Sequence, residues 1–563
     1  MRRWVGLVSL GVAAAWLPFV SRADAMPVDA PVPVAVDRGA VRAPSVTLRV
    51  DAAAGRHRIS NDIYGINFAD EALANSINLP VDRWGGDSTE SYNWQINGGN
   101  EGINYYFQNF PDCWIPAFDY CTTGHSYSGA LALIEKDRRV GAKTLLNLPA
   151  LGWVAKSVTY DQDQLCSYPA NVFDPQDDHD TFHPVCGNGR RNGQWISNPV
   201  ADPNLAGKPV GPAFSAAWIN DLVGRYGTAS QGGVQIYELG NEPGLWNETH
   251  HDFHPNPLSF DELWAKSSAL AQAVKDVDPT AQVLGPAEWG WPNYFCSTAD
   301  VPDNGCFPES PDRAAHGGLD ISAWYLQQFA QHQQQTGVRL LDYFDLHYYP
   351  QAPGGGSGYS PVTDVTRPLW DRTYRDPSWI DQKIYLLPRM RDWVGANYPG
   401  TKLAVTEYNM GLDVTSNKRL QNVIQADTLG IFGREGLDLA TFWSQESSPV
   451  PEAAFKIFRN YDGKHHGFGD RGVSATSSAQ GKLAVYAARR GTSGPMTIVV
   501  VNKTGGDLRS RLTLSHFAHA RTAKPYRYAG SGIDKLGTVG VGSGGFTLTY
   551  PKSSITLVEL KPA

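Results

Sequence analysis

Eight short runs of β-forming residues, separated by amphipathic helical patterns or long loops, limit this chain more than any other feature. The runs cover residues 63–68, 81–84, 144–148, 234–239, 282–284, 344–347, 403–406 and 439–443. Helical spacing marks 127–138, 214–226, 260–277, 321–335, 384–397 and 418–435. This alternation predicts an α/β fold, a TIM-like (β/α)8 barrel over residues 61–468. That span exceeds the usual ~250 residues of such a barrel, and the excess is assigned to insertions, chiefly 158–203. An open doubly wound sheet would call for a glycine-rich phosphate turn after the first strand, and Asn67-Phe68-Ala69-Asp70 is not one.

From residue 469 to 563 the pattern changes to short strands at 483–488, 496–502, 511–514, 526–528, 546–550 and 555–560, with no helix. They predict a β-sandwich. Residues 45–60 alternate like an edge-capable strand pair but have no partner nearby, so they are assigned to the same sandwich. The two chain ends then meet, with the barrel inserted between them.

Residues 1–25 read as a secretory signal: Arg2-Arg3, a mostly apolar stretch 5–20, and the small-x-small site Ala23-Asp24-Ala25. Residues 26–44 form a Pro/Val/Ala-rich flexible leader. No second apolar run has spanning length, so a secreted protein without membrane attachment is expected. A net charge of −8 with no basic block argues against nucleic acid as a partner. Six cysteines in an exported chain are expected to be oxidised. Nearest-neighbour closure pairs Cys113 with Cys121, Cys166 with Cys186 and Cys296 with Cys306, although fifteen connectivities remain open.

Two of the β runs lead into a glutamate. Glu242 follows the fourth, where Pro243 must end the strand, and Glu407 directly follows the seventh. The carboxyl ends of barrel strands form the catalytic rim, and two carboxylates facing each other there suit cleavage of a glycosidic bond. One must be protonated to donate to the leaving oxygen, and the other must be ionised to attack the anomeric carbon. Around them, Asn241 is placed to bind the sugar 2-hydroxyl, and Tyr408, His347 or Tyr349 to orient the nucleophile. Arg83 is placed against the nucleophile's carboxylate, with Trp84 beside it. An open groove lined by Trp84, Trp94, Trp246, Trp289, Trp291 and Trp443 would accept a polymer in mid-chain. Core packing is the plain alternative for His347 and Trp443.

These segments resemble glycoside hydrolase family 44, a family of secreted endo-acting β-1,4-glucanases and xyloglucanases. The resemblance rests on Arg83-Trp84-Gly85-Gly86 with Tyr92-Asn93-Trp94, and on Gly240-Asn241-Glu242-Pro243-Gly244-Leu245-Trp246 with Thr249-His250. It extends to Asp345-Leu346-His347-Tyr348-Tyr349-Pro350, Leu369-Trp370-Asp371-Arg372-Thr373-Tyr374, Thr406-Glu407-Tyr408-Asn409, Gln425-Ala426-Asp427 and Phe458-Arg459-Asn460-Tyr461-Asp462-Gly463. It implies a barrel plus a sandwich built from both chain ends, with Glu242 as acid/base and Glu407 as nucleophile of a retaining mechanism. Asp87 and the loop 158–203 depart from the family pattern. The expected substrate is a β-glucan such as cellulose-type glucan or xyloglucan, with xylan or glucomannan as the alternative.

A monomer with no required cofactor is expected; a structural calcium held by loop carboxylates stays open. The run His250-His251-Asp252-Phe253-His254 lacks the Glu of a helical zinc motif and is followed by Pro255 and Pro257, so no metal is assigned to it. A non-catalytic polysaccharide-binding barrel is the second functional class. A serine hydrolase would need a Gly-x-Ser-x-Gly elbow, which the sequence lacks.

Overall fold

The computed structural model describes residues 46–112, 128–158, 165–301, 306–351, 359–445, 448–542 and 544–563. The expected signal and leader, Cys113 and Cys121 lie outside the described residues.

Eight parallel strands close into a barrel: Gly65–Asn67, Val81–Trp84, Lys143–Leu148, Ile236–Leu239, Gln282–Glu288, Tyr343–Leu346, Lys402–Tyr408 and Leu439–Phe442. Seven of them each give one residue to an apolar layer, Val81, Leu145, Ile236, Leu284, Tyr343, Ala404 and Leu439. Side chains of a strand alternate between its two faces, so the residues two further on face inward as well. They include Arg83, Asn147, Glu238, Asp345 and Thr406, all buried. A polar layer therefore lies directly above the apolar one, at the carboxyl ends of the strands.

The predicted helices are present at Gly129–Val140, Pro212–Tyr226, Phe260–Val277, Ile321–Thr336, Leu386–Asn397 and Lys418–Glu435. Short helices Glu71–Ile77 and Glu452–Arg459 were not foreseen. Asp70 caps the first by accepting from the N–H of Leu73 at 2.7 Å.

The chain ends build a second, mostly antiparallel sheet of eleven strands. Arg471–Ser477 pairs with Leu483–Arg489 through its first half and with Thr47–Asp51 through its second, which folds the sheet around a core including Leu48, Val50, Val485, Ile498, Val500, Leu512 and Leu560. The N-terminal strand joins this sheet as expected, and it is not an edge. It lies between Arg471–Ser477 and Leu508–Ser515, parallel to the latter, so both its backbone faces are paired.

Leu483–Arg489 turns Leu483, Val485 and Ala487 into the sandwich core, and Ala484, Tyr486 and Ala488 toward the barrel. There Asp427, on the barrel helix Lys418–Glu435, accepts from Lys503 Nζ at 2.8 Å, Tyr486 Oη at 2.7 Å and Thr366 Oγ1 at 2.7 Å. Asp427 and Lys503 are both buried. Asp427→Ala strands the Lys503 charge, so equilibrium urea unfolding is expected to show a loss of roughly 3–5 kcal/mol. A change under about 1 kcal/mol would mean that the two parts do not depend on this contact.

The cysteines pair as nearest neighbours where described: Cys166 with Cys186 and Cys296 with Cys306. The first staples an insertion with its own small core of Phe107, Tyr168, Phe173 and Ile196.

Candidate active site

The polar layer converges on Arg83, which is fully buried. Its Nε donates to Glu238 at 2.8 Å, Nη1 to Glu407 at 2.7 Å and Asn67 at 3.0 Å, and Nη2 to Asn241 at 2.8 Å. One rigid guanidinium thereby sets the positions of four side chains from three strand ends. Thr406 bonds to Asp345 and, at 3.0 Å, to Glu238, and it meets His347 Nε2 at 3.1 Å. The other ring nitrogen of His347 lies 2.8 Å from Glu242 and 3.7 Å from Glu407. Glu242 and Glu407 each present an oxygen within 4.8 Å of the other. Their side chains are 15% and 8% exposed, so both reach the mouth of the barrel.

Local backbone geometry aims the two acids. The ladder between the seventh and eighth strands shifts between Val405 and Tyr408. Such a bulge re-aims side chains: Thr406 and Glu407 both serve the interior, while Tyr408 turns outward onto Phe432 and Phe442. Glu242 has left-handed backbone angles, φ 45 and ψ 56, before the turn Pro243–Leu245. Its N–H donates to the Ala287 carbonyl at 3.0 Å.

The environments push the two carboxyls apart. Burial raises Glu242 well above the ordinary value, and the charges of Glu407 and Asp87 add to that. Burial works the same way on Glu407, but the charges of His347 and Arg83, with hydrogen bonds from Arg83 and Tyr349, outweigh it and lower the group. Tyr349 donates its hydroxyl to Glu407 at 2.8 Å. The surroundings therefore favour the protonated form of Glu242 and the charged form of Glu407.

Arg83, Asn241, His347 and Tyr349 thus meet around the acids as the sequence suggests. Trp443 and Trp289 stand half-buried at the rim. The Trp443 ring lies so close over Gly86 that a Cβ there would sit 2.9 Å from it. Five other residues do not join the acids. Trp84 points out of the barrel and packs against Tyr92 and Trp218, because its neighbour Arg83 points in. Tyr408 is buried and bonded to Gln425. Trp246 is buried and donates to the Asn241 carbonyl at 2.9 Å, supporting the site from behind. Trp291 is buried against Tyr294 and Phe295. Trp94, part-buried, packs on Phe214.

Several participants have no sequence motif. Glu90 accepts the N–H groups of Asn241, Ala150 and Leu151. Asp87 accepts from Asn241 Nδ2 at 3.1 Å and Asn104 Nδ2 at 3.0 Å. Trp379 is half-exposed, and its indole N–H reaches Gln351 at 3.1 Å, two residues past Tyr349. The available signal was charge inside a β run: Arg83 and Glu238 are costly there unless they serve each other.

Among the described residues, two groups bring ligating atoms close enough to hold a cation, Glu238–Asp345–His347 and Glu242–His347–Glu407. In the first, the Arg83 guanidinium already supplies the positive charge to Glu238. His250 is buried, His251 stacks on Trp195 and His254 meets Glu262 at 2.8 Å.

A family model described as glycoside hydrolase family 44 matches residues 99–352. Endoglucanase A of Paenibacillus lautus is 31% identical over 569 residues, which span 96% of this chain and 76% of that protein. The chain belongs to glycoside hydrolase family 44. Solved structures extend the likeness across this family 44 hydrolase. CelM2, a bifunctional glucanase-xylanase from a metagenome library, is 35% identical with a TM-score of 0.84, covering 92% of this chain and 99% of that one. A Paenibacillus polymyxa xyloglucanase of family 44, solved with xyloglucan, is 28% identical with a TM-score of 0.74, covering 92% and 100%. As a family 44 enzyme the protein hydrolyses glycosidic bonds of a polysaccharide. Among the described residues, no helix is long and apolar enough to cross a membrane.

Proposed function

We propose that this family 44 hydrolase is a secreted, monomeric, retaining endo-β-1,4-glucanase in which Glu242 is the acid/base and Glu407 the nucleophile. The observation that carries the reading is the approach of the two carboxyl groups, with oxygens within 4.8 Å across the barrel mouth. Retaining enzymes hold the pair at ~5–5.5 Å, whereas inversion needs ~6.5–9.5 Å to admit a water.

In the first step Glu407 attacks the anomeric carbon as the glycosidic bond breaks, and Glu242 gives its proton to the departing sugar oxygen. In the second, Glu242 as carboxylate takes a proton from water, the water oxygen attacks the anomeric carbon, and Glu407 is released. Asn241 offers its oxygen to Arg83 and one amide hydrogen to Asp87, which leaves the second hydrogen for the sugar 2-hydroxyl. The double displacement needs no cofactor. The signal-like residues 1–25 support export, and each chain carries a whole site, so a monomer suffices.

β-Glucan is favoured because similar proteins are named an endoglucanase and a xyloglucanase. Xylan is the second reading, since the similar CelM2 is a glucanase-xylanase. On soluble β-glucan, proton NMR is expected to show the β anomer first, and viscosity to fall well ahead of reducing-end release. An α anomer formed first would remove the retaining mechanism. Viscosity falling only in step with reducing ends would remove mid-chain attack.

Activity against pH should be bell-shaped. Falling pH silences Glu407 only below the ordinary glutamate range, because that group is lowered. Rising pH silences Glu242 only well above it, because that group is raised. Profiles of kcat/KM check both limbs. An optimum confined below pH ~4.3 would contradict the assignment of a protonated Glu242.

A further inference from the structure

The fifth barrel strand ends in a third acid that the double displacement does not use. Glu288 is 2% exposed. Its Oε1 accepts the backbone N–H of Gly244 at 3.2 Å and of Trp289 at 3.0 Å. Gly244 lies two residues beyond Glu242, inside the turn Pro243–Leu245. A Cβ at Gly244 would sit 2.5 Å from Glu288 Oε1, so the close approach depends on glycine.

The same strand end makes two more bonds to the site. The Ala287 carbonyl accepts the N–H of Glu242 at 3.0 Å, and the Glu288 carbonyl accepts that of His347 at 2.8 Å. The strand carries a register shift between Pro286 and Glu288, and Ala287 has φ 56. Two consecutive residues, Ala287 and Glu288, therefore hold the backbones of the acid and of its histidine partner. Glu242 itself has a left-handed conformation that is unfavourable for a side-chain-bearing residue and persists only where its surroundings impose it.

We propose that Glu288 is a positioning residue for the proton-donation step: its carboxyl oxygen clamps the Pro243–Leu245 turn and so keeps Glu242 in reach of His347 and of the glycosidic oxygen. The proposal rests on Glu242 being the acid/base. Burial pushes the Glu288 carboxyl up to about 8, so near neutral pH it acts as an uncharged acceptor beside Glu242. Glutamine keeps that acceptor. Alanine removes it and leaves two buried N–H groups without a partner.

The test compares Glu288→Ala and Glu288→Gln on soluble β-glucan and on a dinitrophenyl β-cellobioside, with glycosylation followed by the pre-steady-state burst. A sugar hydroxyl needs a proton to leave; dinitrophenolate does not. Glu288→Ala is expected to lower kcat on glucan about 10–100-fold with KM changed by less than about twofold, because a misplacement near 1 Å costs on that order. The burst rate on the activated substrate should stay within about threefold, and Glu288→Gln should stay within about threefold on both.

An equal loss on both substrates, or no loss on glucan, overturns the proposal. If Glu288→Ala does not fold, Glu288→Leu fills the space without an acceptor and carries the same comparison. Glu242→Ala is run alongside. If it shows no leaving-group dependence, the acid/base assignment fails; if only the Glu288 variants show none, the positioning role alone fails.

Discussion

Glu407→Gln is expected to reduce kcat on soluble β-glucan by roughly 10⁴–10⁶-fold, since an amide cannot form the covalent glycosyl-enzyme. Binding should survive. The amide oxygen can still accept from Arg83, and that guanidinium keeps Glu238, Asn67 and Asn241. Because Glu238 remains as its counter-ion, the loss of stability should stay below about 3 kcal/mol. Isothermal titration with a non-hydrolysed oligosaccharide and a thermal melt separate these effects from turnover. In Glu407→Gly, added formate occupies the vacated space and should restore turnover of an activated glycoside. A variant that keeps full turnover would deny Glu407 the nucleophile's role.

The second large effect belongs to Glu242→Ala. On glucan, loss of the proton donor should cost about 10²–10⁴-fold in kcat. On a dinitrophenyl β-glycoside the first step needs little acid help, so glycosylation should proceed and the glycosyl-enzyme should accumulate. Azide, which needs no general base, should then release it as the β-glycosyl azide. Chromatography of that product and burst kinetics check both points. Comparable losses on both substrates, with no azide adduct, would deny Glu242 the proton-transfer role.

Much of this architecture is legible in the chain, and the failures have physical causes. All eight barrel strands are legible because each is a short, almost wholly buried β-forming run set between helical patterns or loops. Arg471–Ser477 escaped because its burial does not alternate; it changes partner halfway and has few apolar residues to show. The glutamates were found through Pro243 and through the strand ending at Glu407. Their neighbours were misjudged where adjacent residues were both given to the mouth. Strand alternation sends Trp84 outward because Arg83 goes inward.

Tyr408 is a different case. A bulge reverses which of Glu407 and Tyr408 faces in, and nothing in the local sequence announces it. Tyr349, two residues on from His347, donates to Glu407 instead. Glu90, Asp345 and Glu288 act through backbone N–H groups or a shared hydroxyl, contacts that exist only once distant strands are neighbours.

The whole account turns on a covalent bond between the sugar and one carboxylate. The direct test is to react the enzyme with a 2-fluoro dinitrophenyl β-cellobioside, digest it and locate the added mass by peptide sequencing. The account predicts a single fluoroglycosyl group on Glu407, formed together with one equivalent of dinitrophenolate. Stoichiometric inactivation with the label on another residue, or steady hydrolysis with no label at all, would contradict it.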